Sequence, residues 1–292
     1  MPFFYQGIDD FLGGRESRYF GEGYLHTYQS VRDFRILQTD NGLGFSCLGT
    51  VHLPELWSRK GASHQVPHLS TIDVIELSLE SLRQLLQHTL HGQVVPAASI
   101  KLIKIAAGNT PVETELGRIG ISGRVRSDES GDYVVDLQIV NMTLEITFTR
   151  GPFSHVPALS SEKQAVKLNN VMALAQEQQA LAFATVKPLR SDINQCWSLS
   201  SCFAATLQLG QTLLYALDNI QRAESNTLWM KRTVITLSQG LSSATDQEQP
   251  IFVRLDKPRK YPKPDGEWRR ADIFGMICNA SIVCSVTHRL PR

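Results

Sequence analysis

Two long amphipathic segments, each set among strand-patterned runs, constrain this chain more than any other feature. The first runs from about Ser70 to Leu90, where Ile72, Ile75, Leu79, Leu82 and Leu86 recur at helical spacing and form one apolar stripe. Pro67 stands before it, Ser70 or Thr71 can cap it, and Gly92 ends it. The second, Ser200 to Asn219, carries Leu207, Leu209, Leu213, Leu214 and Leu217. Around the first helix, Gly44–Leu53, Ser99–Ala107, Gly117–Val125 and Tyr133–Thr149 are rich in Ile, Val, Leu and Phe. Val135, Leu137 and Ile139 alternate with polar residues, as do Leu144, Ile146 and Phe148, which reads as strands covered on one face. Around the second helix the strand-like runs are Gln164–Val186, Thr227–Leu237, Ile251–Leu255 and Ala271–Val286. Ala175-Gln-Glu-Gln-Gln179 leaves the middle of the first run open. The Lys/Arg/Pro-rich stretch Lys257–Arg270 is either an exposed loop or the ends of two strands.

The order in the two halves is the same, so the sequence predicts an α+β unit, a sheet wrapped around one central helix, used twice. Ser70–Leu79 lies over Ser200–Leu209, which puts Phe203 where Asp73 stands. Asn141-Met-Thr-Leu-Glu145 faces Asn279-Ala-Ser-Ile-Val283. The expected units are residues 1–155 and 156–292, joined by a linker from Gly151-Pro-Phe-Ser-His-Val-Pro157 to Glu162. They would form a pseudo-dimer in one chain.

Charge narrows the partners. Twenty-nine Lys+Arg against 28 Asp+Glu leave +1. Phosphate-backbone binding needs uncompensated cations along one face, so nucleic acid is not expected. Nor is there a broad field for anionic lipid. No run of about 18 apolar residues spans a bilayer. The start of the chain has no signal-peptide pattern, and its five cysteines include no CxxC pair, so a cytoplasmic address is expected.

Several strings are similar to those of the avirulence-D (AvrD) family of bacterial biosynthetic proteins. They are Ile8-Asp-Asp-Phe-Leu-Gly13, Arg18-Tyr-Phe-Gly-Glu-Gly23, Trp57-Ser-Arg-Lys-Gly61, Pro67-His-Leu-Ser-Thr-Ile-Asp73 and Ser225-Asn-Thr-Leu-Trp-Met230. The layout resembles a double hotdog. The resemblance implies joining a β-ketoacyl chain from a thioester, on acyl carrier protein or coenzyme A, to a small sugar-derived polyol, giving a syringolide-like signal. The A-factor synthesis proteins, also double hotdogs, are a more distant analogy. A homodimer is also compatible with this architecture. No cofactor is implied.

Pro67–Asp73 is the strongest candidate for chemistry. A helix N-terminus offers free N–H groups to a polarised carbonyl. His68 before it and Asp73 in its first turn are the candidate catalytic pair, as base and as acid or orienter. Hotdog dehydratases of polyketide assembly lines carry a similar His-to-Asp spacing, but their Gly- and Pro-containing His motif is absent here. A dehydratase or cyclase is therefore the alternative activity, and a non-catalytic effector or binding module the second alternative. Ser70-x-x-Asp73 also reads as a capping box that fixes the helix start. Glu76, one turn later, is expected to face solvent. Trp57, Ser58 and Lys60 are candidate acceptor-binding residues, and Ser70, Gln208 and Gln211 candidate polar groups around the thioester. Trp229 and Met230 read as core, and Lys231 and Arg232 as rim. Cys202 near the second helix start is a candidate thiol nucleophile, although its apolar neighbours and the lack of a nearby His in sequence favour a structural thiol. His52, His64 and His68 lack metal-site spacing, so no metal is expected.

Overall fold

The computed structural model describes residues 2–39, 42–54, 57–61, 63–89, 100–149, 163–189, 196–238 and 246–291. The first part of the chain holds β1 (Phe3–Gly7), α1 (Asp9–Leu12), β2 (Tyr28–Thr39), β3 (Gly42–His52), β4 (Arg59–Lys60), β5 (Ser63–His64) and α2 (Thr71–Thr89). Then come β6 (Ile100–Ala106), β7 (Ile119–Ser127), β8 (Tyr133–Ile139) and β9 (Met142–Phe148). The second part holds β10 (Gln164–Leu174), β11 (Gln179–Pro188), α3 (Leu199–Asp218), β12 (Trp229–Leu237), β13 (Gln249–Lys263), β14 (Gly266–Ile277) and β15 (Ala280–Arg289). The expected linker and Gly92 lie outside the described residues. No helix among the described residues is long and apolar enough to cross a membrane.

Thirteen strands form one sheet in the order β1-β10-β11-β13-β14-β15-β12-β6-β9-β8-β7-β3-β2, while β4 and β5 pair separately. Read outward from the β12–β6 contact, the two sides match strand for strand: β6-β9-β8-β7-β3-β2 against β12-β15-β14-β13-β11-β10. The join is antiparallel, with Val234 opposite Lys104. β1 adds to the outer edge of β10, so the first residues of the chain complete the far half of the sheet.

Local irregularities repeat as well. The β2–β3 register slips between Arg32 and Arg35, with Asp33 at φ 56°. The β10–β11 register slips between Asn169 and Met172, with Asn170 at φ 51°. Asp and Asn tolerate this left-handed conformation better than most residues. Val140 and Cys278, each just before the paired Asn141 and Asn279, both have φ 52°.

The helix starts correct one equivalence. α3 is capped by Ser198, whose side chain accepts from the Ser201 amide. Ser70 does the same for Asp73. The caps therefore align Ser70 with Ser198 and Asp73 with Ser201, not with Ser200 and Phe203. Serines at 198, 200 and 201 offer more than one apparent match in sequence, and only the hydrogen bond selects the cap.

Both helices pack on the sheet through their apolar stripes. Ile72, Ile75, Leu82 and Leu86 of α2 are buried, and α3 is buried from Leu199 to Tyr215. Two glycines let α3 approach β14 closely. A Cβ at Gly210 would lie 2.6 Å from Ile273 Cγ2, and one at Gly275 would lie 2.4 Å from Thr206 Cγ2. The Lys257–Arg270 stretch is the far end of the β13–β14 hairpin, with Tyr261 opposite Trp268, which selects strand ends over a loop.

Candidate active site

The first turn of α2 is held by a reciprocal cap. Ser70 donates its amide (2.9 Å) and its hydroxyl (2.6 Å) to Asp73 Oδ2, and the Asp73 amide donates back to Ser70 Oγ at 3.1 Å. Asp73 Oδ1 accepts from the Gln29 amide, which also reaches Thr27 Oγ1 at 3.0 Å. Tyr19 is hydrogen-bonded to Ser70 Oγ. Because the Ser70 hydroxyl proton points at Asp73, Tyr19 is the donor in that contact. Burial, with the nearby Asp73 charge, pushes the Tyr19 hydroxyl well up, which keeps its proton in place.

Glu76 does not face solvent: it is 5% exposed and accepts from the Ser200 hydroxyl of α3. The sequence shows its position on α2 but not the second helix lying over that face. Burial raises its pKa to about 7, with Asp73 adding to the rise and Ser200 and Lys163 opposing it. Lys163 is itself buried and donates to Thr27 O (2.6 Å) and Thr27 Oγ1 (2.7 Å).

Beside this cluster lies a cavity of about 60 Å³ whose walls include Trp57, Ser58, Lys60, His68, Ser70 and Gln211. Arg18, Tyr19 and Arg222 also line it. A second cavity of about 230 Å³ shares His68, Ser70, Leu228 and Met230 with the first and adds Leu69, Ala107, Met142 and Trp229. Six of the residues singled out in sequence therefore meet at one place. Asp73 and Gln208 line neither cavity. Asp73 touches the space only through Ser70, and Gln208 Oε1 is occupied by Arg18 at 3.0 Å.

His68 stands between the rings of Trp57 (4.7 Å between centroids) and Trp229 (5.5 Å). Trp229 therefore belongs to the cavity wall rather than to the core alone. His68 Nδ1 lies 3.0 Å from Val66 O. A carbonyl only accepts, so Nδ1 carries the hydrogen and the neutral ring keeps its lone pair on Nε2. Trp57 is buried, and its Nε1–H has no acceptor among the described residues.

Lys60 is deeply buried. Its Nζ donates to Ser225 Oγ at 2.9 Å and to Asn226 O, and Ser225 Oγ lies 3.1 Å from Tyr215 OH. Burial, reinforced by Arg222, lowers its pKa to about 7. Arg222 donates to Ser17 O at 3.2 Å. Arg18 bridges Gln208 and Asp9, and burial lowers its pKa to about 10. The short strings scattered along the sequence thus converge here: Asp9 holds Arg18, Ser225 and Asn226 hold Lys60, and His68 faces Trp57 and Trp229.

Arg222, Glu76 and Lys163 carry no motif and were not singled out as site residues, and Arg18 and Tyr19 entered only within a longer string. Cys202 is fully buried, and burial beside Cys278 raises its thiol well above the ordinary range. Burial outweighs the helix dipole there, which leaves a poor nucleophile. Among the described residues no group of His, Cys, Asp and Glu could hold a metal.

Residues 3–176 and 154–291 match the family described as Pseudomonas avirulence D protein (AvrD). No curated protein matches the chain. Among solved structures, the dehydratase domain of RzxB from Pseudomonas fluorescens is similar at 15% identity and TM-score 0.44, covering 87% of this chain and 97% of that one. A conserved protein of unknown function with a hot dog fold from Alicyclobacillus acidocaldarius is similar at 10% identity and TM-score 0.47, covering 88% and 97%. An acyl-CoA thioesterase II from Mycobacterium marinum is similar at 12% identity and TM-score 0.43, covering 88% and 95%.

Proposed function

The chain belongs to the avirulence D family, and from that premise we propose that it is a double-hotdog enzyme joining a β-ketoacyl chain from a thioester to a small polyol. The two units we assign are residues 1–155 and 156–292, with β1 of the first completing the sheet of the second. The observation that carries the reading is a pair of adjoining cavities that share His68, Ser70, Leu228 and Met230: the smaller adds Lys60, Ser58 and Gln211, and the larger adds Leu69, Ala107, Met142 and Trp229. The buried polar side chains of the smaller cavity suit hydroxyls, and the larger cavity has the room and the apolar side chains for an acyl chain.

In this mechanism His68 Nε2 takes the proton of an acceptor hydroxyl, and the oxygen attacks the thioester carbonyl. The C–O bond forms, the C–S bond breaks, and the proton on Nε2 passes to the departing thiolate. Thr71 at the wall of the larger cavity places the first turn of α2, and its positive dipole end, near the oxyanion. Asp73 is a positioning residue that fixes Ser70 and, through it, Tyr19.

The buried state of Asp73 favours transfer over dehydration. A dehydratase needs an acid and a base that both reach the substrate, whereas Asp73 is fully buried and bonded to Ser70 and Gln29. The test is incubation of the protein with β-ketoacyl and β-hydroxyacyl thioesters, with and without a pentulose, reading free thiol and product mass. Acceptor-dependent ester with thiol release is expected, and His68→Ala should lower its rate by about 10²–10⁴-fold with unchanged circular dichroism. An enoyl product without acceptor, or full activity in His68→Ala, would refute the proposal.

A further inference from the structure

We propose that the smaller cavity binds a dianionic phosphoryl group, carried by the acceptor, between Lys60 and Arg222. This rests on reading that cavity as the acceptor site. The argument begins with charge. Arg15 and Arg18 are balanced by Asp9 and Glu22, through Arg15–Asp9, Arg15–Glu22 and Arg18–Asp9 contacts. Lys60 and Arg222 have no carboxylate within ion-pair distance among the described residues, although each is only 8% exposed. Lys60 donates to a hydroxyl and a carbonyl, and Arg222 to a carbonyl, so neither charge is neutralised.

Buried charges are normally paired, because removing one partner leaves a large desolvation penalty. Two such side chains on one cavity wall leave a local excess of positive charge. The shift of Lys60 to about 7 records the same strain, since burial and Arg222 both disfavour its charged form. A dianion placed between them supplies the missing partner to both. The lining also carries unused donors: Arg18 Nε and Trp57 Nε1 are buried without acceptors among the described residues. The size agrees, since this cavity of about 60 Å³ is much smaller than its neighbour of about 230 Å³. That suits a terminal phosphoryl group and not an acyl chain. A phosphoryl group here puts the hydroxyl end of a short polyol toward His68, which lines the same cavity.

The test uses the full chain and Trp fluorescence, with Trp57 as a reporter in the wall, at constant ionic strength. Titrants are inorganic phosphate, a pentulose, the same pentulose as its phosphate ester, and coenzyme A with its dephospho form. Saturable binding of phosphate and tighter binding of the pentulose phosphate are expected. Arg222→Gln and Lys60→Met should each weaken it about ten- to a hundredfold. Arg222→Lys, which keeps the charge, should lose less than Arg222→Gln.

Equal loss in the two Arg222 variants, or equal affinity for the pentulose and its phosphate, would overturn the proposal. So would tight binding of coenzyme A but not dephospho-coenzyme A with no binding of pentulose phosphate, because the phosphoryl group would then be the carrier's. Transfer to the neutral pentulose without phosphate binding would sink this inference and leave the proposed function standing. Phosphate binding without any acyl transfer would do the reverse.

Discussion

Glu76→Gln tests the helix contact at the centre of the molecule through its pH dependence. Glu76 is buried between α2 and α3, accepts from Ser200, and has its pKa raised from 4.5 to about 7. A carboxyl raised in this way binds its proton more tightly folded than unfolded. Its contribution is therefore fully present below pH 4.5 and is lost as pH rises towards about 7, beyond which the loss is complete. At about 1.4 kcal/mol per pH unit, the whole interval corresponds to about 3 kcal/mol. Roughly 2 to 3 kcal/mol of it falls between pH 5 and pH 8, because the unfolded-state carboxyl is already largely ionised at pH 5 and part of the loss lies below that pH. Gln keeps the oxygen that Ser200 needs and cannot ionise. Urea unfolding of both proteins at pH 5, 6, 7 and 8 reads the effect, since titrating groups that do not interact with Glu76 cancel in the difference between them. The Gln protein should gain about 2 to 3 kcal/mol on the natural one between pH 5 and pH 8, with similar m-values. A difference that stays flat across this range would show that Glu76 is already ionised in the folded protein, and the reasoning would fail.

His288 gives the opposite slope. It is buried near Asp218 and Arg269, and burial, with Lys60 and Arg269, lowers its pKa from 6.5 to about 4. Its stabilising contribution is present above pH 6.5 and is lost as pH falls towards about 4, so His288→Gln should flatten the acid limb of the urea-midpoint profile. An unchanged acid limb would contradict this. Ser70→Ala removes a cap and leaves Asp73 and Tyr19 each short of a partner, so it should cost about 2–4 kcal/mol in the same assay. A cost below about 0.5 kcal/mol would mean the cap contributes little. Gly210→Ala brings a Cβ to 2.6 Å from Ile273 Cγ2. Overpacking at about 1–3 kcal/mol outweighs a helix-propensity gain near 1 kcal/mol, so the thermal midpoint should fall; a rise would refute the tight α3–β14 crossing.

What could be read in the sequence divides along physical lines. α2 and α3 were legible because their leucine and isoleucine spacing depends on local geometry alone, and the structure ends them within a residue or two of the reading. β8 and β9 were legible from strict alternation. β2 was not, because its charged residues Arg32, Asp33 and Arg35 sit on a strand at the edge of the sheet. Trp57, Lys60 and His68 stand out in the sequence and line one cavity in the structure, yet the burial of Lys60 and Glu76 was not legible. Burial at Lys60 is created by Ser225 and Asn226, and at Glu76 by Ser200, all more than a hundred residues away. A periodic pattern reports which face of its own element is covered, but it carries no signal about a polar face covered by a distant one.

The two halves share a capping device but not its chemistry, and ionisable groups cluster at only one of the two helix starts. Aligned by their caps, Asp73 corresponds to Ser201, Glu76 to Ala204 and Ile72 to Ser200. The contact between Ser200 and Glu76 therefore has as its image an apolar pair, Ala204 and Ile72, both fully buried. Ionisable groups gather around the start of α2, while Cys202, Phe203 and Ala204 fill the corresponding place in α3. The second half instead supplies a wall: Gln211 and Arg222 line the cavity, and Ser225 and Asn226 hold Lys60. Removing either half would expose Lys60 or delete it, so neither unit contains the cavity alone. The cavity is composite: Arg18, Trp57, Lys60 and His68 come from the first part of the chain, and Gln211, Arg222 and Leu228 from the second.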